Sequence, residues 1–237
     1  HLLYGLMLPS GNDAAVAIAE HISGNVEAFA AIMTNRAHEL GANDTSFKNP
    51  NGLDAQGHYT TAYDLAIITK KAMEFEKFRE IVSCKSIQIG GRYLSNHNKL
   101  LSMYNGATGV KTGYTKSTGR SLVSSAERDG FRIIAVTLNA PNDWNDHTTM
   151  LNYAFDNYKP LAVAEKGTSA GKVTVADGVI KSVPAIYGDS LTVHLTEDEK
   201  SRLSLKADYA GTLNAPVLEG RNLGTLTVTV DGTLIGT

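Results

Sequence analysis

The sequence predicts a mixed helix-and-sheet protein, α/β in the broad sense and α+β in detail, with an antiparallel sheet flanked by helices and a small all-β domain at its C-terminal end. Three observations carry that prediction. Apolar residues recur at helical spacing through much of residues 14–83 and again over 143–158. Asp129-Gly130 separates two strand-like runs, 121–128 and 131–139, and is a strong two-residue hairpin signal. From about residue 161 the spacing changes to period two, as in Val173-Thr174-Val175, Leu191 to Leu195 and Leu226 to Val230, with Gly and Asp turns between. A length of 237 residues suits one large domain or two smaller ones. The boundary is expected at Lys159-Pro160, giving domains 1–159 and 160–237.

The elements follow in order. Residues 1–8 are apolar, expected to be buried, and broken by Pro9. Ser10-Gly11-Asn12-Asp13 then opens a helix over Ala14–Ile22. Ser10, Asn12 and Asp13 are all good N-cap residues, so a capping turn is the plain structural explanation. The functional alternative is that Ser10 and Asn12 alternate on a tight turn and share one cleft, with Gly11 supplying the backbone freedom. A second helix is expected over Asn25–Leu40, stopped by Gly41. The long polar loop 42–59 is a functional candidate by its length. Thr60 or Thr61 caps a further helix, Lys77–Ser83 forms a shorter one, and Gly90-Gly91 turns a small hairpin. His97 is either a cleft residue or a hydrogen-bonded structural histidine. Met150, Leu151, Ala154 and Phe155 are expected on one side of the helix over 143–158.

Composition excludes several classes. The formal net charge of −2 gives no basic excess for nucleic acid. A single cysteine, Cys84, rules out an intrachain disulfide framework and a multi-cysteine metal site. No cofactor and no metal are expected. No apolar run approaches the roughly 18 residues that span a bilayer.

The chemistry concentrates at Lys111-Thr112-Gly113-Tyr114, on the first strand of the meander. The lysine offers a positive charge, the threonine a hydroxyl, and the glycine room for a ligand to lie against the strand. Alone, such a triplet is weak. Together, Ser10-Gly11-Asn12 and Lys111-Thr112-Gly113 resemble the second and third motifs of the penicillin-recognising serine enzymes, which carry S-x-x-K, S-x-N and K-T-G. The surrounding residues narrow the resemblance to the low-molecular-weight D-alanyl-D-alanine carboxypeptidases, serine peptidase family S11. They are Leu3 to Ala15, Phe47 to Leu53, Asn96 to Leu101 and Gly109 to Thr115. The resemblance covers about the first 158 residues and implies a β-lactamase/transpeptidase-like domain. The following β module is similar to the family's C-terminal domain.

The resemblance implies a serine-type D-Ala-D-Ala carboxypeptidase, working through an acyl-enzyme on peptidoglycan pentapeptides and acylated by β-lactams. Ser10 would relay a proton, and Asn12 would bond the substrate amide or the motif lysine. Lys111 and Thr112 would attract the substrate carboxylate. Gly113 and the backbone N–H of Tyr114 would line the substrate, with that N–H completing the oxyanion hole. The nucleophile segment is expected upstream of Ser10, outside this sequence, so residues 1–237 alone are expected to be inactive and an N-terminal piece of the same protein is a candidate partner. Ser169-Ala170-Gly171-Lys172 also has S-x-x-K spacing, but follows K-T-G in a glycine-flanked turn and is expected to be a decoy. The family implies export to the outer face of the bacterial cell membrane, anchored only through a C-terminal segment not in this sequence. Two alternatives stand beside it. One is a class A-like β-lactamase, with Glu39 as its water-activating carboxylate, although Glu39 falls at a helix end before a glycine. The other is a non-catalytic cell-wall binding homologue.

Overall fold

The computed structural model describes residues 1–209 and 211–237, and the chain divides into two units, His1–Tyr153 and Ala154–Thr237. Helix and strand are mixed and every sheet of the first unit is antiparallel, as the sequence predicts.

The first unit begins with three helices. The apolar start forms α1 (Leu2–Met7), which Pro9 ends. The expectation that it is buried fails for most of it: Leu2 and Leu3 are half exposed, and Leu8 alone is fully enclosed. A helix this short buries only the stripe that meets its neighbours, here Gly5 against Ala14 of α2 (Asn12–Ser23). α3 (Val26–Glu39) starts at Asn25, whose side chain accepts from Ala28 N at 2.7 Å. Its chain reverses at Gly41, where φ is +90°.

The loop that follows is built, not slack. Buried Asp64 accepts from Asp44 N (2.8 Å) and from the Thr45 hydroxyl (2.6 Å). Its own N–H donates to Thr61, the N-cap of α4 (Ala62–Ala72), at 3.1 Å. The Asp64 carboxylate thereby ties the start of the loop to the helix that follows its end. α5 (Glu76–Ser83), the hairpin β1 (Ser86–Ile89) and β2 (Arg92–Ser95), and α6 (Leu100–Met103) come next.

The meander is β3 (Ala107–Thr115), β4 (Gly119–Arg128) and β5 (Phe131–Thr137), with β3 at one edge. The Asp129-Gly130 turn has φ of +50° and +79°, as a tight hairpin requires. Val110 is buried against Met73 and Val82, with Met7, Phe78 and Val123 around them. Burying each such side chain contributes about 1.5–3 kcal/mol. Because strand side chains alternate, seating Val110 in this core turns Lys111 to the other face.

α7 (Asp143–Asn157) is clamped to the sheet. Arg120 of β4 forms a two-pronged ion pair with buried Asp143, at 2.9 and 3.1 Å, and lies over Trp144. His147 is wholly buried, with Nδ1 2.5 Å from Ser124 Oγ and Nε2 2.9 Å from Thr137 Oγ1. The expected apolar face of this helix needs correction. Leu151 is buried, but Met150 is 37% exposed, because the covered stripe runs through His147 and Leu151 and leaves Met150 at its margin.

The second unit is β-rich. It holds β6 (Lys159–Ala164), β7 (Ser169–Ala176), β8 (Ser182–Ile186), β9 (Leu191–Leu195), α8 (Glu197–Ser201), β10 (Leu203–Tyr209), β11 (Thr212–Asn214), β12 (Gly224–Val230) and β13 (Thr233–Gly236). β6 pairs with β9, β7 lies between β11 and β8, and β12 lies between β10 and β13. Val193, Leu195, Val228 and Val230 form its core. The five-residue α8 is the one helical interruption after α7 among the described residues; Thr196 and Glu199 close it with reciprocal capping bonds.

Candidate active site

Ser10 and Lys111, 101 residues apart in sequence, are in contact: the Lys111 ammonium donates to the Ser10 hydroxyl. Each side arrives by a separate local device. On the serine side, α1 ends at Leu8 and the chain turns through Pro9 into α2. Leu8 O accepts from His97 N at 3.2 Å, which ties the turn to the segment leading into α6. The His97 side chain is exposed, so its backbone does the positioning. Asn96 holds the same segment, accepting from Asn98 N (2.9 Å) and donating to Cys84 O (3.0 Å).

The turn itself differs from the sequence expectation in an instructive way. Gly11 does not supply the unusual backbone; its φ is −65°. Ser10 takes the left-handed conformation, at φ +60°. Gly11 is needed for space, because its N–H donates to Gly5 O at 2.9 Å and a Cβ there would sit 2.9 Å from that same oxygen. Nor do Ser10 or Asn12 cap α2. The N-cap is Gly11, with no side-chain bond, and the Ser10 hydroxyl is turned to Lys111 instead. A non-glycine residue in the left-handed region costs of order 1–3 kcal/mol, and such residues concentrate at functional sites. Asn12 is the first residue of α2 and exposed; among the described residues its side chain has no hydrogen-bond partner, so it is not joined to the Ser10–Lys111 pair.

On the lysine side, Lys111 also donates to Thr112 O at 2.8 Å. Burial pushes its ammonium down to about 8. That leaves it largely charged at neutral pH and able to give a proton up more readily than a surface lysine. Gly113 pairs with Ser121 across the sheet, and a Cβ there would meet Ser121 only at 3.8 Å, an ordinary contact. The fold therefore tolerates a side chain at Gly113, and what the glycine keeps clear is the open side of the strand. Tyr114 is 69% exposed. The far end of β3 is tied to the long loop, where Thr115 donates to Asp54 at 2.9 Å. Sequence reasoning marked the loop by its length but missed this tie, since nothing in either residue's neighbourhood signals a partner 61 positions away.

The remaining candidates lie elsewhere. Glu39 ends α3 at the surface, paired with Arg36 at 2.6 Å. Ser169 starts β7 in the second unit, exposed, beside an irregularity in the pairing with β8; the expected turn is a strand because residues 169–174 pair with 182–186. Among the described residues no group of His, Cys, Asp and Glu is arranged to hold a metal. No described helix is long and apolar enough to cross a membrane.

A family model described as D-alanyl-D-alanine carboxypeptidase matches residues 1–142, and one described as penicillin-binding protein 5, C-terminal domain, matches residues 158–237. The chain is 35% identical to D-alanyl-D-alanine carboxypeptidase DacF of Bacillus subtilis, over 99% of this chain and 62% of that protein. It is 31% identical to DacD of Escherichia coli, over 92% of this chain and 55% of that protein. It thus spans between 55% and 62% of the length of these relatives. Among solved structures it resembles penicillin binding protein 5 of Haemophilus influenzae, with a TM-score of 0.76 and 29% identity, over 99% of this chain and 70% of that one.

Proposed function

The chain belongs to the D-alanyl-D-alanine carboxypeptidase family, and from that premise we propose that the whole protein removes the terminal D-alanine from peptidoglycan stem peptides by acyl transfer to a serine. The single observation that supports the reading best is the contact between Ser10 and Lys111. A strained serine whose hydroxyl meets a half-buried ammonium is set up to pass a proton, which a capping serine is not.

In this scheme the attacking serine belongs to an S-x-x-K segment outside residues 1–237, and the catalytic domain comprises residues 1–159 with 160–237 as an accessory domain. Lys111 and Thr112 hold the free carboxylate of the terminal D-alanine. An ammonium is suited to that task, since charge-assisted hydrogen bonds are roughly twice as strong as neutral ones. The peptide lies extended against the edge of β3, beside Gly113. The Tyr114 N–H donates to the oxygen of the carbonyl under attack; removing one such donor typically costs about 10² to 10³ in rate. Ser10, polarised by Lys111, hands a proton to the departing amine. Asn12 bonds the substrate amide. Water then releases the acyl group. β-Lactams carry a carboxylate beside a strained amide and enter the same way. The substrate places the reaction outside the cytoplasmic membrane.

The test is D-alanine release from a D-Ala-D-Ala peptide by the full-length protein. Lys111→Ala is expected to lower kcat/KM at least 100-fold while circular dichroism shows a folded protein. An unchanged kcat/KM contradicts the assignment.

A further inference from the structure

Resting on the carboxypeptidase reading, we infer that Asp54 is a specificity residue that recognises an ammonium on the side chain of the residue immediately before the D-alanyl-D-alanine terminus, so that the enzyme prefers stem peptides whose third residue carries a free amine. The argument starts from the direction a bound peptide must take. Its carboxylate is anchored at Lys111 and Thr112. Towards the N-terminal side of these residues β3 is covered by α5, whose Val82 lies against Gly109 and Val110. Towards the C-terminal side it is open, with Gly113, Tyr114 and residues 116–118 exposed. An extended ligand along this strand therefore runs towards Thr115.

Length decides which residue arrives there. Strand residues advance about 3.3 Å each, so Thr115 lies roughly 10 Å beyond Thr112 and about 13 Å beyond Lys111. The residue before the D-Ala-D-Ala pair is two positions from the anchored terminus, or roughly 7 Å in an extended peptide. A long amine-bearing side chain covers the remaining few ångströms.

The group waiting there is the Asp54 carboxylate. Asp54 accepts from Thr115 at 2.9 Å, and Thr115 in turn contacts Thr118 at 2.7 Å and Ser117 at 3.3 Å. The hydroxyls of Ser117 and Thr115 hold its carboxyl below the usual carboxylate range, with His58 of the same loop adding to this. Among the described residues no lysine, arginine or histidine forms an ion pair with it. The loop bearing it is fixed at its base by Asp64 and internally by Asn49, which accepts from Gly52 N at 2.8 Å and donates to Leu53 O at 2.8 Å. The carboxylate is thus exposed, ionised and held in place at the open end of the binding strand.

The experiment compares two N-terminally acetylated lysyl-D-alanyl-D-alanine peptides, one with the lysine side-chain amine free and one with it acetylated, as substrates of the full-length protein. The wild type is expected to favour the free amine by about two- to fivefold in kcat/KM, the strength of an ion pair at a wetted surface. In Asp54→Asn the ratio of the two kcat/KM values falls to near one, and Asp54→Glu retains part of the preference. A wild-type ratio of one overturns the inference. So does an Asp54→Asn variant that slows both peptides in proportion, which would make Asp54 a strut for the loop and nothing more. If the wild type releases D-alanine from neither peptide, the carboxypeptidase reading itself fails and this inference with it.

Discussion

Ser10 spends its hydroxyl on a lysine rather than on the helix it precedes. That exchange ties two short motifs into one site. The letters Ser10, Asn12, Lys111, Thr112 and Gly113 were all legible in the sequence as motif positions. The reason for Gly11 was not, because the constraint is an oxygen of Gly5 that only the folded turn brings near. The state of Lys111 was equally hidden, since it depends on burial. Its titration predicts two opposite trends. If the ammonium binds substrate, kcat/KM falls about tenfold per pH unit above about pH 8, as the folded protein loses that proton. Stability moves the other way. The unfolded chain holds the proton to about 10.5 and the folded one only to about 8, so the unfolded state binds more protons between these values and stability rises with pH across them. A pH–rate profile set beside denaturant unfolding at pH 8 to 10 checks both. An activity loss that merely tracks unfolding contradicts the account.

At the scale of elements, helices and strands were mostly readable because their periodicities are local. Thr61 did cap α4, and Gly90-Gly91 and Asp129-Gly130 did turn hairpins. The buried polar ties between elements were not readable. Asp64 looks like an ordinary first-turn acid, yet it closes the long loop. His147 looks like one polar residue in an amphipathic helix, yet it bonds two strands. Burial lowers this imidazole to about 4, against an ordinary value of 6.5. The unfolded chain therefore takes up a proton first as pH falls, and the stability His147 contributes is lost between about 6.5 and 4. A shift of this size corresponds to about 3 kcal/mol. Urea unfolding at pH 7 and pH 4.5 should show that slope, and His147→Gln should be less stable at pH 7 and flatten it. An identical slope in the variant would mean other groups carry the acid sensitivity.

For the whole molecule, the sequence shows a change of regime near residue 160, and the comparisons match two different families on either side of that region. Strand pairing in the second unit was beyond reach. Alternation marks β7, β9 and β12 as strands but says nothing of β11, of its parallel pairing with β7, or of β6 joining β9 across two intervening strands. The first unit faces the same limit at its centre, for nothing local to Ser10 or to Lys111 announces a neighbour 101 residues away. Their working as one unit is the central claim, and a double-mutant cycle tests it most directly. Acylation of the full-length protein by benzylpenicillin is measured for wild type, Ser10→Ala, Lys111→Ala and the double variant. The account predicts strong non-additivity, with the double variant little slower than the slower single one. Two losses that simply multiply would contradict it.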